Sequence, residues 1–290
     1  MVKILLVGLS GCSGCQVATV SLHEKLLGIL TANELVYAPT LMDAKEIPEK
    51  IDVAIIEGGL RTIHERETAQ KIRRNSGLVI TLGSCACFGG IPGLANLKEG
   101  KQLLDLIYSE LKGTVKGPQP ILDEMLPEQI PISSSVKVDF AIPGCPPELG
   151  DIAYILTTLL SGGTPELSKT DVCEKCPLER IGAYAPKLQR IYEGVPKPGR
   201  CLLEQGYICM GPATLGGCGA PCPAAGMPCD GCRGPTVKNS DQGLTMLDAL
   251  ASLTKEISQD FSLSQNVGTL YRYTYPSSDL ARVLKGGIKK

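Results

Sequence analysis

Thirteen cysteines in 290 residues are the residues most able to do chemistry here, and their spacing decides which chemistry. Five are sparse: Cys12, Cys15, Cys85, Cys87 and Cys145. The other eight crowd one stretch: Cys173, Cys176, Cys201, Cys209, Cys218, Cys222, Cys229 and Cys232. Thiolates are soft ligands that suit zinc and iron–sulfur centres. A disulfide framework would need export to an oxidising compartment. The leading MVKILLVGLSGC fits a lipoprotein cleavage pattern, but it has a single Lys3 and an apolar stretch of about six residues, short of the usual ~7–15. The cysteines are therefore expected to be reduced and to bind metal. A thioredoxin-like reading of the CSGC pair leaves Cys85 and Cys145 unexplained. Gly8, Gly11 and Gly14 do not form a dinucleotide fingerprint.

The elements that must carry these residues are legible from hydrophobic patterning. Residues 2–8 form a continuous apolar, β-rich run, as expected of a strand buried on both faces. Residues 15–30 show helical spacing through Val17, Val20, Leu26, Leu27 and Leu30, with Ser13 and Gln16 placed as a capping box. Strands are predicted at 52–57, 78–82 and 136–142, with a further one at 34–38, and helices at 62–75 and 147–160. The segments GSCACFGG and GCPP read as turns. Strands alternating with helices predict an α/β, doubly wound parallel sheet. Cys12 and Cys15, Cys85 and Cys87, and Cys145 each lie just past the carboxyl end of a predicted strand. In an open α/β sheet those ends share one edge, where the ligand crevice forms. Residues far apart in sequence can therefore converge on one metal centre. Cys85 and Cys87 are too close in sequence to serve it together, so Cys87 reads as a small buried thiol.

The second half is different. Nearly half of residues 211–235 are Gly or Pro, leaving few large side chains for a core. Metal binding can supply the missing ordering free energy. The eight cysteines divide into two sets of four, and their spacing alone leaves four-cysteine zinc and iron–sulfur readings open. Residues 242–259 read as an amphipathic helix packing through Leu244, Leu247, Leu250, Leu253 and Ile257. The formal charge of −1 gives no electrostatic footprint for nucleic acid. No apolar run approaches the ~20 residues that span a bilayer. His23 and His64 read as surface or packing residues.

Six motifs together resemble the small, electron-transferring subunit of nickel–iron hydrogenases over nearly the whole chain. They are GCSGC at 11–15, EGG at 57–59, GSCA at 83–86, GCPP at 144–147, CEKC at 173–176, and CMGPATLGGC with PCDGC across 209–232. Within that family the chain is most similar to the cytoplasmic, deazaflavin-non-reducing (methyl-viologen-reducing) enzymes of methanogens, gamma-subunit type, associated with heterodisulfide reductase. The resemblance implies a flavodoxin-like domain at 1–162 and a loop-rich iron–sulfur domain at 163–290. It implies three [4Fe–4S] clusters: proximal on Cys12, Cys15, Cys85 and Cys145; distal on Cys173, Cys176, Cys201 and Cys209; medial on Cys218, Cys222, Cys229 and Cys232. It places Glu57 beside the proximal cluster as a supporting residue.

The resemblance also implies that the nickel–iron site lies on a separate large subunit, so no catalytic residue is assigned here. Electrons would pass to a downstream iron–sulfur or flavin subunit. Two departures from the commonest pattern matter: Cys173 stands where a His is usual, and Cys222 where a Pro often limits the medial cluster to [3Fe–4S]. Cytoplasmic placement is expected from the lack of a twin-arginine leader. With about −2 per oxidised cluster, the loaded chain would carry roughly −7. The alternatives are a sulfhydrogenase-type subunit serving a flavin/NAD(P) partner, the quinone-reductase subunit of respiratory complex I, which shares the GCPP-type site, and a zinc-stabilised interaction module. The loops at 86–100 and 113–134, with Pro118, Pro120, Pro127 and Pro131, are candidate partner contacts.

Overall fold

Seven strands appear in a computed structural model, which describes residues 1–98, 100–110, 113, 124–253 and 263–286. They are β1 (Lys3–Gly8), β2 (Glu34–Tyr37), β3 (Ile51–Glu57), β4 (Leu60–Thr62), β5 (Ser76–Leu82), β6 (Met125–Ile130) and β7 (Phe140–Ile142). Five of them form one sheet in the order β2-β1-β3-β5-β7, every pairing parallel. Ranked among themselves those five run 2-1-3-4-5, the flavodoxin-like doubly wound order. β4 and β6 pair antiparallel as a small separate ribbon.

The apolar runs explain the sheet. Parallel strands covered by helices on both faces have no solvent side, so they need no polar alternation. Leu5, Ala54, Ile56, Val79 and Ile80 are fully buried. Leu5, Val7, Ile56, Val79 and Ile132 belong to one continuous core with Ala69 and Ile72 from the crossover helix α3 (Ile63–Asn75). α3 opens on a reciprocal cap: Thr62 Oγ1 accepts from Glu65 N, while Glu65 Oε2 accepts from Thr62 N. Asp139 fastens the short β7 to β5, accepting from Val79 N at 2.9 Å while its own N–H donates to Val79 O. Arg73 of α3 pairs with the same carboxylate.

Several elements depart from expectation for identifiable reasons. The helix predicted over 15–30 is broken into α1 (Gly14–Val20) and α2 (Glu24–Ala32), with His23 at φ 50° between them. Val17, Val20 and Leu27, taken as its inward face, are exposed; Ala18, Leu22 and Ile29 are buried instead. GSCACFGG is a helix, α4 (Gly83–Phe88), ended by Gly89 at φ 97°. The predicted strand 136–142 pairs only from Phe140, because Val136 N closes a turn onto Ile132 O. Of the supposed loop at 113–134, residues 125–130 are β6, which holds Pro127, and Pro131 caps a short 3-10 turn. Pro118 and Pro120 lie outside the described residues. Two further helices, α5 (Gly100–Asp105) and α6 (Leu149–Leu160), complete this region.

The chain divides into two units: 1–165 together with Tyr275–Ser277, and 166–274 together with 278–290. In the first, Pro276 fills a notch in which a side chain on Gly89 or Gly93 would come within 2.4 or 2.2 Å of its Cγ. The second unit is built of turns, isolated bridges such as Asp171 with Leu215, the short α7 (Pro221–Ala224), α8 (Gln242–Leu253), and helices at Leu263–Leu270 and Asp279–Gly286. α8 buries Gln242, Met246 and Leu250, while Leu244 is exposed, so the packed face is offset from the leucine stripe. Ile257 lies outside the described residues. Among the described residues no helix is long and apolar enough to cross a membrane.

Candidate functional site

In the first unit the segments after β1, β5 and β7 bring Cys12, Cys15 at the start of α1, Cys85 within α4, and Cys145 to one sheet edge. Backbone bonds lock these loops together. Leu9 N donates to Glu57 O at 2.9 Å, and Ser10 exchanges bonds with Gly59. Ser84 N donates to Gly144 O at 2.8 Å, joining the Cys85 segment to the Cys145 segment. Ser10 Oγ donates to Glu65 Oε1 at 2.8 Å, which anchors the first loop on α3. Cys15 is buried and Cys85 half-buried, while Cys12 and Cys145 are exposed. Neighbouring thiols disfavour one another's thiolates. Burial first, then Glu57, Cys85, Cys145 and Cys12 push the Cys15 thiol well above its ordinary range. Burial, Cys145, Cys12 and Glu57 push Cys85 up to about 12. Burial and Cys12 raise Cys145. Cys15, Cys85 and Cys145 are thereby disposed to keep their protons until a cationic centre displaces them, as thiolate-ligated metals do.

Glycines shape the space around these sulfurs. A Cβ on Gly83 would lie 2.3 Å from Cys15 Sγ, and one on Gly90 would lie 2.5 Å from Cys85 Sγ. Both have positive φ, 86° and 64°. One on Gly14 would stand 3.3 Å from Cys12 Sγ. The patterning in sequence flagged the cysteines but not these glycines; GCSGC and GSC carried the signal.

Glu57 is buried at the end of β3 and accepts from Gln16 N at 3.0 Å. Burial raises its carboxyl, while bonds from Gln16, Cys15 and Ser13 oppose that rise. This carboxylate does the work expected of a Ser13 cap. Ser13 sits at φ 63° and makes no side-chain cap bond. Cys87 lies apart from the four: its Sγ meets Thr81 Oγ1 at 3.4 Å, and burial pushes its thiol up to about 12. His23 and His64 are both exposed.

In the second unit Cys173, Cys176, Cys201 and Cys209 line a single cavity with Leu202 and Pro212. Burial and then Asp171 push Cys173 up to about 12, with Cys209 and Cys176 adding to the rise and Arg180 opposing it. Gly211 again makes room, since a Cβ there would stand 3.0 Å from Cys173 Sγ and 3.6 Å from Cys209 Sγ. The remaining four cysteines are gathered less fully. Cys229 is raised by burial, then by Cys209 and Cys232, while Cys218 is half-buried and Cys222 exposed on α7. Cys229 N donates to Cys209 Sγ at 3.2 Å, so the two sets adjoin. Among the described residues no three His, Cys, Asp or Glu side chains close on one point as a single ion requires. A tetrahedral zinc site needs sulfurs about 2.3 Å from one ion.

Residues 12–159 match the family described as "NADH ubiquinone oxidoreductase, 20 Kd subunit", a span that holds the four strand-edge cysteines and none of the later eight. The chain is 43% identical to a subunit of the vhu-type F420-non-reducing hydrogenase of Methanocaldococcus jannaschii, covering 98% of each chain. It is 38% identical to the corresponding subunit of the F420-non-reducing hydrogenase of Methanothermobacter marburgensis, over 98% of this chain and 97% of that one. Among solved structures it is similar to a chain of an NAD+-reducing [NiFe]-hydrogenase, at TM-score 0.52 and 30% identity, covering 57% of this chain and 94% of that one.

Proposed function

Because the chain belongs to the 20 Kd subunit family of NADH ubiquinone oxidoreductase, in its hydrogenase small-subunit type, we propose that it is the electron-transfer subunit of a nickel–iron hydrogenase. The nickel–iron site that activates H2 would lie on a large partner subunit. This chain would hold three [4Fe–4S] clusters: proximal on Cys12, Cys15, Cys85 and Cys145; medial on Cys218, Cys222, Cys229 and Cys232; distal on Cys173, Cys176, Cys201 and Cys209. The clusters would supply one-electron chemistry. The next acceptor would be an iron–sulfur or flavin subunit of heterodisulfide reductase type, with the assembly in the cytoplasm.

The observation that carries this reading is the convergence of four thiols from the segments that follow β1, β5 and β7, with glycines leaving room at Cys12, Cys15 and Cys85. The residues present fit the group. Thiols whose ionisation is opposed by burial and by one another, as at Cys15 and Cys85, gain from ligating a cationic iron core. Cys229 N–H directed at a sulfur is the kind of bond that tunes such centres. The chain's own part is to bind, to exclude water and to fix spacing. Glu57 holds the first turn of α1, and with it Cys15, against the end of β3. A fourth medial cysteine, Cys222, favours [4Fe–4S] over [3Fe–4S].

Anaerobic purification tests the proposal. A brown protein with about twelve iron atoms per chain is expected. A colourless protein with two or three zinc atoms overturns it, and a stoichiometric [3Fe–4S] signal overturns the medial assignment alone.

A further inference from the structure

Cys209 and Cys229 fall in different sets of four, yet they meet directly. The backbone N–H of Cys229 donates to Cys209 Sγ at 3.2 Å, across 20 residues of sequence. Both residues are buried, at 8% and 7% exposure. Two further features close the same junction. Met210 N donates to Cys229 O at 2.8 Å, so Cys229 both gives a bond to the 209–210 segment and takes one from it. Gly211 puts no side chain between the two segments: a Cβ there would lie 3.6 Å from Cys209 Sγ and 4.0 Å from Cys229 Cβ.

The bond ends on a sulfur whose charge it favours. Burial raises the Cys209 thiol, the backbone N–H groups of Gly211 and then Cys229 oppose that rise, and Cys201 and Cys176 add to it. A donor aimed at a ligand sulfur stabilises the more negative state of the centre that the sulfur holds. The dry surroundings strengthen the effect. The same N–H has a second property, because its residue is assigned to the other cluster. From Cys229 Sγ a run of covalent bonds leads through Cβ and Cα to the nitrogen, and one hydrogen bond then reaches Cys209 Sγ. Electrons couple better through bonds than across a gap.

We propose that the Cys229 N–H is the electron bridge between the medial and distal clusters, and that by donating to Cys209 Sγ it also raises the potential of the distal one. This rests on the electron-transfer reading above and on its two ligand sets, and adds the atoms that join them. An electron crossing the bridge leaves the medial centre oxidised by one and the distal centre reduced by one. It comes from H2 oxidation on the partner subunit and goes on to the downstream acceptor. The proton stays on the Cys229 nitrogen, and no covalent bond forms or breaks.

The test uses the iron-loaded full chain with the backbone amide of Cys229 replaced by an ester, through the α-hydroxy analogue of cysteine. That keeps the thiol and deletes the N–H. An ester at Met210 is the control: it severs the bond to Cys229 O and leaves the donor to sulfur in place. The readouts are a redox titration followed by electron paramagnetic resonance and the rate of electron exchange between clusters after flash reduction. With the ester at 229, one of three reduction steps should move to lower potential by about tenfold in its equilibrium constant, about 59 mV for one electron. Exchange between two of the centres should slow about tenfold or more. The ester at 210 should leave both as in wild type. An iron-replete 229 ester with either readout unmoved overturns the inference, as does a 210 ester that moves both as far. If the 229 ester fails to load iron, wild type refolded and loaded in D2O decides by electron–nuclear double resonance. At least two exchangeable deuterons coupled to the reduced distal centre, from Gly211 and Cys229, support the inference; one or none overturns it. Wild type without iron overturns the electron-transfer reading itself, a separate outcome.

Discussion

The two units hold cysteines in opposite ways. In the first, four thiols stand at the rim of a sheet whose strands are paired, whose core is apolar and whose crossover helix is capped. Remove the sulfurs and every one of those interactions remains. In the second, eight cysteines sit among turns and glycines, with single bridges such as Asp171 to Leu215 in place of a sheet. Its apolar contacts gather at Leu202, Leu203, Tyr207, Met210 and around α8, all beside the cysteine loops. The lesson is one of causal order. In the first unit a stable fold makes a site; in the second, occupancy of the sites would make much of the fold.

That contrast can be broken by experiment. The largest effect is expected from stripping iron with a chelator. Hydrogen-exchange protection across 173–232 should fall ~100-fold or more, while β1, β3 and β5 keep theirs. Equal loss in both units would abolish the distinction. The converse experiment is Ile56→Ala, which hollows the first core and should cost about 2–5 kcal/mol in denaturant unfolding of that unit. The iron bound in the second unit should be retained.

Asp139→Asn probes the fastening of β7, the strand that delivers Cys145, and should cost about 1.5–3 kcal/mol. Burial works against the Asp139 carboxylate, but the Val79 N–H and Arg73 outweigh it and hold its pKa below the ordinary 3.8. A depressed acid stabilises the fold above its unfolded pKa and loses that contribution as pH falls through the folded value. Wild type should therefore lose stability on acidification below about pH 4, and the Asn variant should lack that component. The smallest effect sharpens the picture: Thr62→Ala removes the α3 cap at about 1 kcal/mol in the first unit alone. A change in iron content from that substitution would show that the site depends on the helix more closely than the geometry implies.

Legibility in sequence follows the same division. β1, β3 and β5 were readable because strands buried on both faces leave unbroken apolar runs. The convergence of Cys12, Cys85 and Cys145 followed from topology alone. What escaped was whatever depends on tertiary partners. The cap of α1 comes from Glu57, 41 residues away from the Gln16 N–H it accepts, and no local pattern encodes it. β4 spans three residues, too few to register a period, and Pro127 obscures its partner β6. The packed face of α8 is led by Gln242 and Met246, which hydrophobicity ranks below the exposed Leu244.

The notch filled by Pro276 has a topological consequence. Residues 275–277 belong to the first unit, so residues 166–274 form an insertion whose two ends are both tethered there. Closing such a loop costs entropy that grows only logarithmically, about 0.6 kcal/mol for each doubling of its length. The insertion can therefore lengthen or shorten between relatives with little effect on the sheet. Cutting the gene after residue 165 is another matter: it deletes Pro276 and leaves Gly89 and Gly93 lining an empty groove beside Cys85 and Cys87. A separable first unit would need its missing tripeptide restored, most simply by circular permutation with a short linker.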